Sequence, residues 1–283
     1  MRLAILADVH GNLPALEAVL ADLPPVDDIV VAGDVTGLLY QDETVQRLRG
    51  LGCQMIQGNG EIGLLNYHDG QAPAACYNNQ QFAMLRWSHR NIRPETLDFL
   101  RTLPQQLVLE LPGASAIRIV HGSPRDPAES VFPRRAPETL DAALAMTREA
   151  VLVCAHTHQP WVLQRDHRLA LNPGSVCGPL NGFVGAQYAL LHWQDGRWQA
   201  ELRAIAYDLD PVRRAFRETG LLQEGGPLAR AVLHCIETGH DHALDFLRQA
   251  RRAAAGAGLP NDHAIPDDIW EQTAAAFPWT GRD

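Results

Sequence analysis

Short apolar runs alternate with amphipathic stretches through the first sixty residues. Leu3–Ala7, Ile29–Ala32 and Gln54–Gln57 have the length and composition of strands, the second apolar on both faces as parallel strands are. Between the first two, Leu16, Val19, Leu20 and Leu23 recur at helical spacing. Asn12 stands where an N-cap belongs, with Pro14 inside the first turn. A second helix is predicted over 43–50. This β-α-β-α-β order, with right-handed crossovers, predicts a parallel sheet.

Residues 61–105 interrupt that rhythm. They are polar, with helices predicted near 79–90 and 94–102, and read as an insertion that forms a lid or substrate wall. From 107 short strands resume: 107–111, 117–120, 151–154, 161–164, 169–171, 187–193 and 198–206. The last two are joined by an Asp195-Gly196 hairpin turn. One helix, about 137–148, precedes the 151–154 strand. Two strand-rich halves with helices outside predict an α/β fold of two packed sheets. After Tyr207 the pattern becomes helical, over 211–219, 227–238, 241–254 and 266–276, with Gly-Gly, Gly-His and Leu-Pro-Asn breaks. The chain thus divides into a domain of 1–207 and a helical appendage of 208–283. The appendage packs on that domain or on a second copy in a homodimer.

Composition narrows the partners. The 283 residues carry 24 basic and 33 acidic side chains, a formal charge of −9, so no stable nucleic-acid complex is expected. Asp8 follows the first apolar run too soon for a signal peptide, and no apolar run approaches a membrane span. Five scattered cysteines, odd in number and without CxxC spacing, fit reduced thiols and a cytoplasmic location.

The polar residues just beyond the apolar runs carry the chemistry. Asp8 and His10 follow the first run, Asp34 the second, Asn59 the third, His121 the 117–120 run, and His156 and His158 the 151–154 run. Ligands of open α/β sheets gather at strand carboxyl ends. Residues two apart in an extended segment share a side, which would aim Asp8 with His10, and His156 with His158, at one cavity. Carboxylate, imidazole and carboxamide suit hard-to-borderline divalent metals. Seven donors exceed the needs of one ion and suit two, which together activate water and clamp a phosphoryl group.

Read in order, DVH, GD, GN, an isolated VHG and AHTH resemble the calcineurin-like metallophosphoesterase superfamily, whose pattern is DxH, GD, GNH(D/E), H and GHxH. The likeness covers roughly 1–206 and includes the LNPGSV turn at 171–176. It implies a four-layer α/β/β/α sandwich. It also implies two divalent ions, manganese first, with iron, zinc, nickel and magnesium as alternatives. By motif position Asp8, His10 and His158 hold one ion, Asn59, His121 and His156 the other, and Asp34 bridges, with a hydroxide between the metals as in-line nucleophile.

Two positions depart from the pattern. Ala155 replaces the first glycine of GHxH, a small-for-small change. Gly60 replaces the histidine of GNH, which in the family assists the leaving group or steadies the phosphate. Without it, anhydrides, aryl esters and activated diesters are favoured over alkyl monoesters, because their leaving groups need less acid help. The expected substrate is therefore small, phosphorylated and nucleotide-like, dinucleoside polyphosphates included. A serine/threonine phosphatase-like monoesterase and a non-catalytic scaffold, such as the retromer subunit built on this fold, are the alternatives.

Further candidates surround this set. His68, in NYHDG, is a stand-in acid. Asn12 either caps its helix or touches phosphate, and Arg125 and Arg134 are candidate phosphate contacts in a Pro-rich loop. Trp87 is either core or a base-stacking ring. Gly239-His240-Asp241-His242 imitates a metal motif, but no strand precedes it and Asp241 suits a helix cap. Cys154 reads as a buried small hydrophobe. Ser123 and Ser175 lack a nucleophile elbow.

Overall fold

The computed structural model describes residues 1–260 and 263–279. Its strands are β1 (Arg2–Leu6), β2 (Asp28–Val31), β3 (Gln54–Met55), β4 (Gln106–Leu109), β5 (Ile117–Val120), β6 (Val151–Val153), β7 (Trp161–Arg165), β8 (Arg168–Asn172), β9 (Ala186–Gln194) and β10 (Arg197–Ile205). They form two five-stranded sheets in the orders β10-β9-β1-β2-β3 and β4-β5-β6-β8-β7. β1, β2 and β3 run parallel, as do β5, β6 and β8, while β9 and β10 extend the first sheet, and β4 and β7 flank the second, in antiparallel fashion.

The continuous apolar runs are explained by burial on both faces. Leu3, Ile5 and Ala7 alternate with Ala4 and Leu6. The first set packs between the sheets against Ile119, Val153 and Leu171, and the second against Leu16, Val19 and Leu48 of the outer helices Leu13–Asp22 and Gln41–Gly50. Across the sandwich Val120, Leu152 and Cys154 face Leu140 and Leu144 of helix Pro137–Ala145, so Cys154 is core. Each fully buried aliphatic side chain contributes roughly 1.5–3 kcal/mol. The layers are therefore α/β/β/α, as the resemblance implied.

Two local expectations change. The helix predicted over 79–90 is a 3₁₀ turn at Gln80–Phe82 followed by Ala83–Arg90, with a short unforeseen helix, Ala75–Asn78, before it. Asn79 is extended there, caps Gln81 N (3.0 Å) and donates from Nδ2 to Ile265 O (2.8 Å). An unforeseen helix runs Asn59–His68, starting on a candidate ligand; Gly60 and Gly63 had masked it.

The C-terminal helices Asp210–Glu218, Leu221–Glu224, Gly226–Thr238, His242–Gly256 and Asp267–Ala276 pack on the insertion and on the loops at the sheet edge. Trp87 is buried among Phe216, Leu221, Ala229 and Ile236, together with Leu38 and Cys177, so it is core and not a stacking ring. A second cluster gathers Ala231, Phe246, Ala250 and Trp270. Gln80 N donates to Asp267 Oδ1 (2.8 Å), tying insertion to appendage. Of the predicted Leu-Pro-Asn break, Asn261 lies outside the described residues. Among these, no helix is long and apolar enough to cross a membrane, and all five cysteines are free thiols.

Candidate metal centre

All seven predicted donors lie at the carboxyl ends of β1, β2, β3, β5 and β6. The loops keep pairing after the strands stop: Asp8 N donates to Gly33 O (3.1 Å), His10 N to Asp34 O (2.8 Å) and Ala155 N to His121 O (2.6 Å). The pairs Asp8/His10 and His156/His158 do not converge by extended-chain alternation, as the sequence reading assumed. Asp8 (φ 52°), His10 (47°), Asp34 (50°), His156 (65°) and His158 (55°) all sit in the left-handed region. Among the described residues only Asp166 and Asp195, both at hairpin turns, share that conformation without being glycine. Each such residue costs about 1–3 kcal/mol, and this strain concentrates on the donors.

The donor atoms form two overlapping groups, Asp8-His10-His158 and Asp8-Asp34-His121, each lying within 4.8 Å. Asp8 Oδ1 is 3.5 Å from His158 Nε2 and 3.8 Å from His121 Nε2. Asp34 Oδ2 is 3.3 Å from His121 Nε2 and 3.7 Å from His10 Nε2. Asn59 Oδ1 lies 3.1 Å from His121 Nε2, and the His156 ring stands edge-on to that of His121 at 5.4 Å.

The opposite ring nitrogens face backbone carbonyls: His10 Nδ1 to Thr36 O (3.2 Å), His121 Nδ1 to Ala32 O (2.8 Å) and His158 Nδ1 to Gly178 O (3.0 Å). A carbonyl only accepts, so Nδ1 carries a proton in each ring, which leaves Nε2 as the atom free to ligate a metal. His10 Nε2 and His158 Nε2 then lie 3.2 Å apart, close enough for one cation to engage both. Asp8 is fully buried, yet neither carboxylate oxygen has a hydrogen-bond partner. The residues fit a metal site.

Electrostatics agree. Burial, opposed by His121 and reinforced by Asp34, lifts the Asp8 pKa to about 7. Burial also opposes charge on Asp34, but His121 and His10 hold its pKa well below the usual carboxylate range. At His121 burial is outweighed by Asp34 and Asp8, which raise its pKa to about 10. Burial, then the nearby His121, lowers His156 to about 4. The centre thus favours one positive charge beside its carboxylates and resists protonating His156 and His158.

Glu61, whose place in the GNGE motif was visible but whose role was not, supports Asp34. Fully buried, it accepts from Asp34 N (2.9 Å), Gly58 N (2.8 Å), Thr36 N (2.9 Å) and Thr36 Oγ1 (2.9 Å). Gly60 N donates to Asp34 Oδ1 (2.8 Å). A Cβ on Gly58 would overlap Asp34 Oδ1, and one on Gly33 would reach 2.7 Å from His121 Nδ1, so both glycines are required by close approach.

A cavity of about 370 Å³ opens over His10, Asp34, Asn59, His156 and His158. The remaining sequence candidates are not brought to it. Asn12 is buried, caps its helix through Ala15 N (3.2 Å) and donates from Nδ2 to Tyr207 Oη (2.8 Å). His68 Nδ1 meets His89 Nε2 at 2.9 Å outside the cavity. Arg125 pairs with Glu129, which also accepts from Ser123. Arg134 lines a separate hollow with Phe132 and Gln159. Ser175 donates from Oγ to Asp8 O (3.0 Å), a loop brace. Asp241 caps its helix through Leu244 N (3.0 Å), as expected, but also borders the cavity, which was not foreseen.

Residues 1–196 match the family model of the calcineurin-like phosphoesterase superfamily domain. An uncharacterised protein of Methanocaldococcus jannaschii is 27% identical over 227 residues, 73% of this chain and 88% of that one. The crystal structure of a metallophosphoesterase from Sphaerobacter thermophilus superposes with a TM-score of 0.68 at 26% identity, covering 84% of this chain and 99% of the other. A hypothetical protein from Pyrococcus horikoshii OT3 gives 0.71 at 22% identity over 84% and 98%, a likeness of fold. The chain belongs to the calcineurin-like phosphoesterase superfamily and is a metal-dependent phosphoesterase.

Proposed function

We propose that this phosphoesterase holds two divalent cations, manganese foremost, and hydrolyses phosphodiester or phosphoanhydride bonds whose leaving groups depart without a protein acid. The observation that carries the metal reading is Asp8, a buried carboxylate lacking any hydrogen bond and shared by both donor groups. Asp8, His10 and His158 would hold one cation, Asn59, His121 and His156 the other, with Asp34 between them. Cations there supply the charge that acidifies water and neutralises the phosphoryl oxygens.

The chain's own residues do the rest. Thr36 O, Ala32 O and Gly178 O fix the imidazole tautomers, and Glu61 with Gly60 N fixes Asp34. Gly60 places no imidazole over the cavity, and among the described residues neither His68 nor an arginine replaces it there. Departure of a basic alkoxide therefore has no proton donor at this position, which favours acidic leaving groups. A scaffold would have no use for five strained donors, one of them a buried carboxylate without a hydrogen-bond partner.

The test is hydrolysis of bis(4-nitrophenyl) phosphate by manganese-loaded protein. Asp8→Ala and Asp34→Ala should each abolish turnover; retained activity in both refutes the reading. A 4-nitrophenyl ester should outpace its alkyl counterpart by far more than the same pair does in a family member that keeps the histidine.

A further inference from the structure

The floor of the cavity is polar, but its walls are not, and they come from outside the two sheets. Leu64, Met84 and Leu85 come from the insertion, and Val232 and Ile236 from helix Gly226–Thr238, which packs against it. No arginine or lysine among the described residues lines the cavity, and Asp241 is the one charged side chain beyond the donors. A second phosphate placed here would meet aliphatic carbon and a carboxylate. Burying an anion without a partner is expensive, and an adjacent like charge adds to the cost.

The apolar wall is built into the metal centre. Gly178, whose carbonyl accepts from His158 Nδ1, packs against Ile236 so closely that a Cβ would lie 3.2 Å from Ile236 Cγ1. Gly182 N donates to Gly239 O (2.9 Å) at the end of the same helix, and Leu180 N donates to His158 O (3.1 Å). Ile236 itself is held by Trp87 and Phe216. The C-terminal helix thus stands at a fixed place relative to His158. A cavity of about 370 Å³ lies at the small end of ligand sites, which run from about 300 to 1,000 Å³.

We propose that these walls receive an uncharged, apolar ester group, so that the substrate is a phosphodiester carrying an aryl or alkyl substituent. Dinucleoside polyphosphates and other substrates with further phosphates are rejected. This rests on the phosphodiesterase reading above and narrows it. The wall, and not the metal centre, sets the choice, since a metal centre would engage only the phosphoryl group common to all candidates.

The experiment uses full-length, manganese-loaded protein and 4-nitrophenyl phosphodiesters that share one leaving group. Their second ester is phenyl, hexyl or 2-phosphoethyl, so differences in kcat/KM report the wall and not the chemistry. Phenyl and hexyl should exceed 2-phosphoethyl by about a hundredfold. Val232→Arg, at a half-buried position, should cut that ratio at least tenfold by lowering KM for the 2-phosphoethyl ester. Met84→Arg, on the insertion, tests the same point should the first variant fold poorly. Equal rates for all three esters, or a preference for 2-phosphoethyl, overturn this inference and leave the phosphodiesterase reading standing. Failure to hydrolyse any of the three overturns that reading, and the inference with it.

Discussion

Replacing Glu61 by glutamine probes the support beneath the metal centre without touching a donor. Its two oxygens accept four bonds, two from Asp34 N and Gly58 N on Oε2 and two from Thr36 N and Oγ1 on Oε1. Burial and the neighbouring Asp34 carboxylate push its pKa up, while the N–H groups of Thr36 and Gly58 favour the ionised form. In Glu61→Gln one oxygen becomes an NH₂ that cannot accept. The least costly orientation turns it to Thr36, whose hydroxyl can rotate and accept, leaving Thr36 N unsatisfied. A buried unsatisfied N–H costs about 1–3 kcal/mol, and losing the charge assistance on the remaining bonds adds about 1 more. At roughly 2–4 °C per kcal/mol for a chain of this size, Tm should fall by about 4–16 °C. Because Asp34 N is one of the four donors, manganese affinity should weaken about 10–100-fold as Asp34 loosens. Differential scanning calorimetry and metal titration calorimetry measure the two effects. A variant that melts within about 1 °C of the parent and binds manganese equally well would falsify the claim that Glu61 positions Asp34.

Asp8→Asn should raise the stability of metal-free protein by about 1–3 kcal/mol in urea unfolding, because it removes a buried charge with no hydrogen bond. The parent at a thousand times its manganese Kd should gain about 4 kcal/mol while this variant gains none. Gly58→Ala should cost about 3 kcal/mol or more, since the methyl would sit 2.5 Å from Asp34 N. Gly52→Ala, left-handed but with nothing within 4 Å, should cost only about 1 kcal/mol, and similar losses at both sites would refute the close-approach argument. Burial, then the Asp28 carboxylate, raises the Cys53 thiol to about 11. Because the thiolate is the reactive form, iodoacetamide labelling followed by mass spectrometry should accelerate about tenfold per pH unit between 8 and 10; a plateau there contradicts the shift.

The parts of the site legible in the sequence were those that obey spacing. Five apolar runs, each ending on a donor, marked the strand ends, because a strand buried on both faces leaves its first polar residues where the sheet stops. Asn12 and Asp241 read as caps because a side-chain oxygen at that position answers an orphan N–H, and both do so here. The helix Asn59–His68 was illegible for the same kind of reason. Gly60 and Gly63 depress helix propensity, and what offsets them is the reach of Glu61 across to the β2 loop, a tertiary bond with no local signature.

The cavity walls were hidden more deeply. Leu64, Met84, Val232 and Ile236 are ordinary aliphatic residues at helical spacing, and in any one helix they read as core. They become a wall only because Trp87 joins the insertion to the C-terminal helices and holds both over the donors. The two parts of the molecule therefore differ in what specifies them. The donors are placed by strand ends and by glycines at 33 and 58 that admit no side chain, so their positions tolerate little change. The wall is placed by packing between two segments far apart in sequence, where one aliphatic residue can replace another at modest cost. Such a construction lets the group accommodated beside the phosphate vary while the metal centre beneath it stays as it is.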